Sequence, residues 1–159
     1  MSVRSFIDTN ILLYADSADE PRKQALAIEL IEAHLRAGSG VISTQVLHEH
    51  AAAAIRKLAL GDDVVQDRIE LFARFEIVTA SVDALKAALA LRSMHRMSLW
   101  DALILQAARD AGCTVLLSEA LATGTTLAGG PSPTPLPPRP RWVAAITLPI
   151  PVITMKRSG

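Results

Sequence analysis

Cysteine is nearly absent from this chain of 159 residues: Cys113 stands alone, so no intrachain disulfide can form. A single thiol at the start of an apolar run reads as a small buried hydrophobe, and a reducing, cytoplasmic setting is expected. Aromatic residues make up only 4% of the chain. No apolar run is long enough to span a bilayer. The longest, Trp142–Ile153, is broken by Pro149 and Pro151. Arg4, Asp8 and Asn10 interrupt the N-terminal apolar stretch, which excludes a signal-peptide core there. Neither a Gly-x-x-x-x-Gly-Lys-Ser/Thr loop nor a Gly-x-Gly-x-x-Gly turn is present, which disfavours nucleotide-binding α/β enzymes. Excess charge of either sign is lacking too: 16 basic residues balance 16 acidic ones. A polybasic nucleic-acid binder is excluded at that level.

The balance conceals two unlike segments. Residues 1–130 carry 12 basic and 16 acidic residues, whereas residues 131–159 carry Arg139, Arg141, Lys156 and Arg157 and no acid. Eight of the nine prolines lie in that second segment. The expected organisation is therefore one folded domain over 1–130 and an irregular Pro-rich tail over 131–159. Half of the chain is apolar, enough to exclude disorder throughout.

Along the first segment, short apolar runs alternate with helical patterns. Val3–Ile7 reads as a buried strand that meets a turn at Asp8-Thr9-Asn10. A helix is expected from Pro21 to Gly38, a brief strand at Val41-Ile42, and a long helix capped by Ser43 or Thr44 and stopped by Gly61. Asp62 or Asp63 opens another helix, and Phe75–Val78 is a third strand. Ser81 and Ser98 cap two more helices, and Thr114–Leu117 is a fourth strand. Strands alternating with helices predict an α/β fold with a parallel sheet. Within the tail, Trp142–Ile153 can supply at most one edge strand.

Ligands of open parallel sheets bind outside the carboxyl ends of the strands. Asp8 follows the first expected strand and Glu119 the fourth. Glu49 falls in the second turn of the helix after the second strand. Asp101 falls in the first turn of the helix that Ser98 caps. Carboxylates gathered at one edge repel each other unless a cation joins them. Hard oxygen ligands suit Mg²⁺ or Mn²⁺, which can activate water against a phosphodiester. Each acid also has a plain alternative: Asp8 as a turn or cap, Ser98-x-x-Asp101 as a capping box, Glu49 as a solvated helix residue and Glu119 as a favourable charge at a helix start. His48-Glu49-His50 is not a zinc helix, since residues two apart do not share a face, and both histidines are expected at the surface or flanking the site.

Four stretches resemble, in order, the motifs of PIN-domain ribonucleases: Phe6–Ala15 with Asp8-Thr9-Asn10, Ser43-Thr44-Gln45-Val46-Leu47-His48-Glu49, Ser98-Leu99-Trp100-Asp101-Ala102, and Leu116-Leu117-Ser118-Glu119. Their order and spacing are similar to those of VapC-type toxins of bacterial toxin–antitoxin pairs. The resemblance implies a three-layer sandwich, with a short parallel sheet flanked by helices. It also implies a Mg²⁺- or Mn²⁺-dependent endoribonuclease that forms homodimers and is held inactive by a cognate antitoxin. Carried over, Asp8, Glu49, Asp101 and Glu119 are the catalytic acids, with Asp8 and Asp101 as direct metal ligands. Thr9, Asn10 and Ser98 become their hydrogen-bond partners.

Two departures stand out. The family usually has Ser-Glu-Asp in its last motif, but here Ser118-Glu119 is followed by Ala120, and the tail matches nothing in the family. A PIN-like module that binds RNA or antitoxin without cutting is therefore the competing expectation. RNA binding by an acidic body needs local cations. Arg4, Arg56, Lys57, Arg92 and Arg96 can supply them, with Arg92 and Arg96 the preferred pair.

Overall fold

The computed structural model describes residues 3–119 and the backbone of residues 144–147. In chain order the elements are β1 (Ser5–Ile7), α1 (Thr9–Asp16), α2 (Pro21–Ala37), β2 (Gly40–Ser43), α3 (Thr44–Leu58) and α4 (Asp62–Phe72). There follow β3 (Glu76–Val78), α5 (Val82–His95), α6 (Leu99–Asp110), β4 (Val115–Ser118) and β5 (Ala144–Thr147). The sheet order is β3-β2-β1-β4-β5. The first four strands run parallel, and β5 pairs antiparallel with β4, Val115 opposite Thr147. The one edge strand allowed to the tail is thus formed. The rest of 131–159 lies outside the described residues.

Every residue of β1, β2 and β4 is buried. Successive strand residues point to opposite faces, so both faces of the sheet are covered, as parallel sheets require. α2 and α3 pack on β2, α1 on β4, and α6 on β2 and β4. The core joins Phe6, Ile7, Ile11, Leu12, Ile42, Leu105, Leu116 and Leu117. This is the expected α/β three-layer arrangement. Cys113 is buried and its thiol is pushed up to about 12 by desolvation, which fits a hydrophobe and not a reactive group. Among the described residues, no helix is long and apolar enough to cross a membrane.

Local chemistry sets most boundaries. Pro21 starts α2 and Gly38 ends it in the left-handed region at φ 61°. Ser43, Ser81 and Ser98 each accept a hydrogen bond from the backbone N–H three residues on. Two expectations are corrected. Asp8-Thr9-Asn10 is not a free turn but the start of α1, which Asp8 caps. α3 stops at Ala59 in the left-handed region, two residues before Gly61, which instead precedes α4.

Gly40 begins β2 under the ring of Phe75. A Cβ there would lie 2.5 Å from Phe75 Cε1 and 3.2 Å from His34 Cβ. Gly40→Ala should therefore destabilise the fold by about 1–3 kcal/mol through overpacking. Urea unfolding followed by far-UV circular dichroism checks this. A neutral effect would show that Phe75 can move aside.

Candidate metal and nucleic-acid site

The chain leaves β1 toward β2 on one side of the sheet and later returns to β4 on the other. The carboxyl ends of β1 and β4 therefore flank a topological switch point, where α/β sheets bind ligands. Asp8 sits there. Its backbone N–H donates to Leu117 O across the strand ends. One carboxylate oxygen, Oδ1, accepts from the Thr9 amide at 2.7 Å. The other, Oδ2, accepts from Ser118 Oγ at 2.7 Å. Both rotational degrees of freedom of the carboxylate are thereby fixed.

Thr9 and Gln45 then hold Glu49. Thr9 Oγ1 donates to Oε2 at 3.1 Å, and Gln45 Nε2 donates to Oε1 at 2.7 Å. Asn10 ties the other side together: its Nδ2 donates to Ser118 Oγ at 3.2 Å, and its Oδ1 accepts from the Glu119 backbone N–H at 3.1 Å. Ser98 spends its hydroxyl on the Asp101 amide, which fixes the first turn of α6 and so the place of Asp101.

Asp8, Glu49 and Asp101 line one cavity of about 410 Å³, together with Thr9, Asn10, Leu13, Ala52, Ala53, Arg56 and Lys57. Three acids from β1's end, α3 and α6 are thus brought together. Glu119 is not among them. It lines a neighbouring cavity of about 280 Å³ with Tyr14, Ser17 and Leu58, and Asn10, Leu13 and Lys57 border both. Glu119 Oε1 is paired with Lys23 Nζ at 2.7 Å.

Burial holds the Asp8 carboxyl above its ordinary range, and the nearby charges of Glu49 and Asp101 push the same way; the hydrogen bonds from Ser118 and Thr9 only partly offset this. Asp8 makes no ion pair among the described residues. A buried carboxylate facing two further acids is short of one positive charge. That electrostatic deficit fits a hard cation. Among the described residues no three His, Cys, Asp or Glu side chains are close enough to hold a metal by themselves. Mg²⁺ does not need three: it keeps several waters and commonly takes one or two carboxylates. The donor set thus fits a hydrated ion held by Asp8 and Asp101, with Glu49 nearby.

The basic residues sort differently from the sequence expectation. Arg56 and Lys57 line the acidic cavity. The preferred pair, Arg92 and Arg96, lies exposed at the end of α5 and lines none of the cavities described. Arg4 is engaged at the opposite end of β1, where it pairs with Glu76 at 2.5 Å and donates to Ala111 O. Its hydrogen bond holds the Glu76 carboxyl below the ordinary range. Helical spacing explains the gathering: Arg56 lies seven residues, about two turns, after Glu49, on the same face of α3. Gln45, four residues before Glu49, has the same explanation.

The histidine expectation is half corrected. His48 is exposed, but His50 is fully buried, with Nε2 2.8 Å from Asp16 Oδ2 and its ring edge-on to Phe72. Arg68 Nε approaches Asp16 Oδ1 to 2.6 Å, an ion pair by distance without the angle of a hydrogen bond. A larger cavity of about 510 Å³ opens beside this group, with an apolar wall of Ile28, Ile31, Leu35 and Phe72; none of the four site acids lines it.

The PIN domain model matches residues 5–119, so the chain belongs to the PIN-domain family. Two solved structures share its fold. One is a toxin–antitoxin complex from Klebsiella pneumoniae, 22% identical, with a TM-score of 0.60, covering 78% of this chain and 92% of that one. The other is VapC20 of Mycobacterium tuberculosis, described as a sarcin–ricin-loop-cleaving toxin. It is 20% identical, with a TM-score of 0.54, covering 69% of this chain and 85% of that one. No curated protein matches the chain.

Proposed function

We propose that the chain is a Mg²⁺- or Mn²⁺-dependent endoribonuclease, the toxin of a toxin–antitoxin pair. The carrying observation is the convergence of Asp8, Glu49 and Asp101 on one cavity at the switch point, with Asp8 buried and without an ion-pair partner among the described residues. Membership of the PIN family and the likeness to a toxin–antitoxin complex and to an RNA-cleaving toxin support this reading. Asp8 and Asp101 would hold the metal. A bound divalent ion supplies a water acidic enough to act as nucleophile and offsets charge on the phosphoryl oxygens. Glu49, aimed by Thr9 and Gln45, would complete the metal site or orient water. Arg56 and Lys57 bring cationic charge to the same cavity and would contact RNA phosphates. Ser118 and Asn10 keep Asp8 in place. An antitoxin protein, a homodimeric state and a cytoplasmic setting complete the proposal.

One observation favours a second reading. Glu119 is turned away to Lys23, which leaves the acid cavity one carboxylate poorer and suits a module that binds without cutting. RNA cleavage by the purified chain in Mn²⁺, abolished by EDTA, decides between the two. Binding of RNA with no cleavage in Mn²⁺ selects the second.

A further inference from the structure

The two adjoining cavities differ in how their acids are neutralised. In the first, Asp8 has hydrogen-bond donors but no ion-pair partner among the described residues. In the second, the protein supplies its own cation. Lys23, on the first turn of α2, places Nζ 2.7 Å from Glu119 Oε1, 3.1 Å from Glu20 Oε2 and 3.2 Å from Tyr14 Oη. The same ammonium lies 4.6 Å from the centre of the Tyr14 ring. These contacts raise the affinity of Lys23 for its proton, the Glu119 bond most of all. An ammonium so held keeps its charge at neutral pH.

We propose that Lys23 is a built-in counter-ion that withdraws Glu119 from the metal site, so that the chain binds one divalent cation, at Asp8 and Asp101, and none at Glu119. The inference rests on the metal-site reading above and narrows it to one ion. A metal at Glu119 would have to displace an ammonium already 2.7 Å away or sit beside it. Like charges at that spacing repel, and the Lys23 stem is anchored to a helix that Pro21 starts. Among the described residues, Asn10 meets Glu119 at its backbone amide, whose N–H donates to Asn10 Oδ1, and not at its carboxylate. Asn10 therefore transmits the position of the strand end and carries no ligand charge between cavities.

Mn²⁺ titration by calorimetry tests this on the full chain, without RNA and without reference to turnover. The wild type should bind one Mn²⁺ per chain. Glu119→Gln should bind one as well, with Kd within about threefold, because loss of a remote, already neutralised charge is a small perturbation. Asp8→Asn should weaken binding by more than about thirtyfold, as expected for a direct ligand. The double variant Lys23→Met with Glu119→Gln removes the pair and leaves only the half-exposed Glu20 without its lysine partner. It should keep the wild-type stoichiometry and serves where the single variant fails to fold. Two Mn²⁺ per wild-type chain, or loss of the single site in Glu119→Gln and in the double variant, overturns the proposal and leaves the metal reading standing. No Mn²⁺ binding by the folded wild type overturns both.

Discussion

Asp8→Asn is expected to lower metal-dependent RNA cleavage on the order of a thousandfold while raising the stability of the metal-free protein. The two effects share one cause. Asp8 carries a charge that burial and two neighbouring acids disfavour, and under the proposed function a bound cation offsets that cost. Asparagine keeps the shape, and its Oδ1 still accepts from the Thr9 amide, but it brings no charge. The pH dependence follows. In the folded protein Asp8 holds its proton to a higher pH than in the unfolded chain. Between the ordinary carboxyl value and the raised one, the unfolded state has released a proton that the native state retains. Stability therefore falls as pH rises through that window, and remains lower above it. The variant lacks this loss. Its advantage in melting temperature should be absent in acid, grow through the window and level off at neutral pH. Adding Mn²⁺ should reverse the order by stabilising only the wild type. Melting curves in EDTA and in Mn²⁺ across that range check both signs. Equal melting temperatures at neutral pH in EDTA would show that Asp8 is solvated and not poised for a cation.

The second large effect lies outside the acid cavity. Asp16→Ala should destabilise the fold by about 1–3 kcal/mol, a large share of a domain's stability. Asp16 is almost wholly buried at the last residue of α1 and takes contacts from α3 through His50 and from α4 through Arg68. Removing it leaves the fully buried His50 Nε2 without its partner, and His50 Nδ1 already has none among the described residues. Arg68 is half exposed and can turn to water, so His50 carries most of the cost. Asp16→Asn should recover part of it, since the amide oxygen can still accept from the imidazole. Chemical denaturation of the three chains measures the difference. A loss below about 1 kcal/mol in Asp16→Ala would mean that water replaces the carboxylate. This buried group also explains the half-corrected histidines. Sequence spacing shows that His48 and His50 cannot share a face, but not which of them faces inward.

Elements whose ends carry strong local signals were legible in the chain. Pro21, Gly38, Ser43, Ser81 and Ser98 punctuate helices by their own backbone chemistry, whatever the tertiary context. α1 was not legible as a helix. Its eight residues follow a buried strand with no break, and its start depends on Asp8 acting as cap, a choice that Asp8-Thr9-Asn10 leaves open. Gly61 misled because Ala59 adopts the left-handed conformation that glycine usually supplies. In the site, the sequence puts Asp8 after a strand, Glu49 in the second turn of a helix and Asp101 in the first turn of another, and all three line one cavity. Glu119 was legible as a residue at a strand end but not as one turned away. Lys23 lies far from it in sequence, and no local pattern announces that ion pair. Arg56 and Lys57, two of the five candidate cations, line the acid cavity because α3 packs against α1, a placement that no local pattern announces; Arg92 and Arg96 do not line it.

Under the proposed function, Asp8, Glu49 and Asp101 form one metal-dependent RNA-cleaving site. Incubation of total cellular RNA with the purified chain tests it most directly, with Mn²⁺, with EDTA, and with Asp8→Asn and Asp101→Asn beside the wild type. Cleavage should appear with Mn²⁺ alone, vanish in EDTA and be lost in both variants. Cleavage that survives EDTA, or that persists in Asp8→Asn and Asp101→Asn, would contradict it.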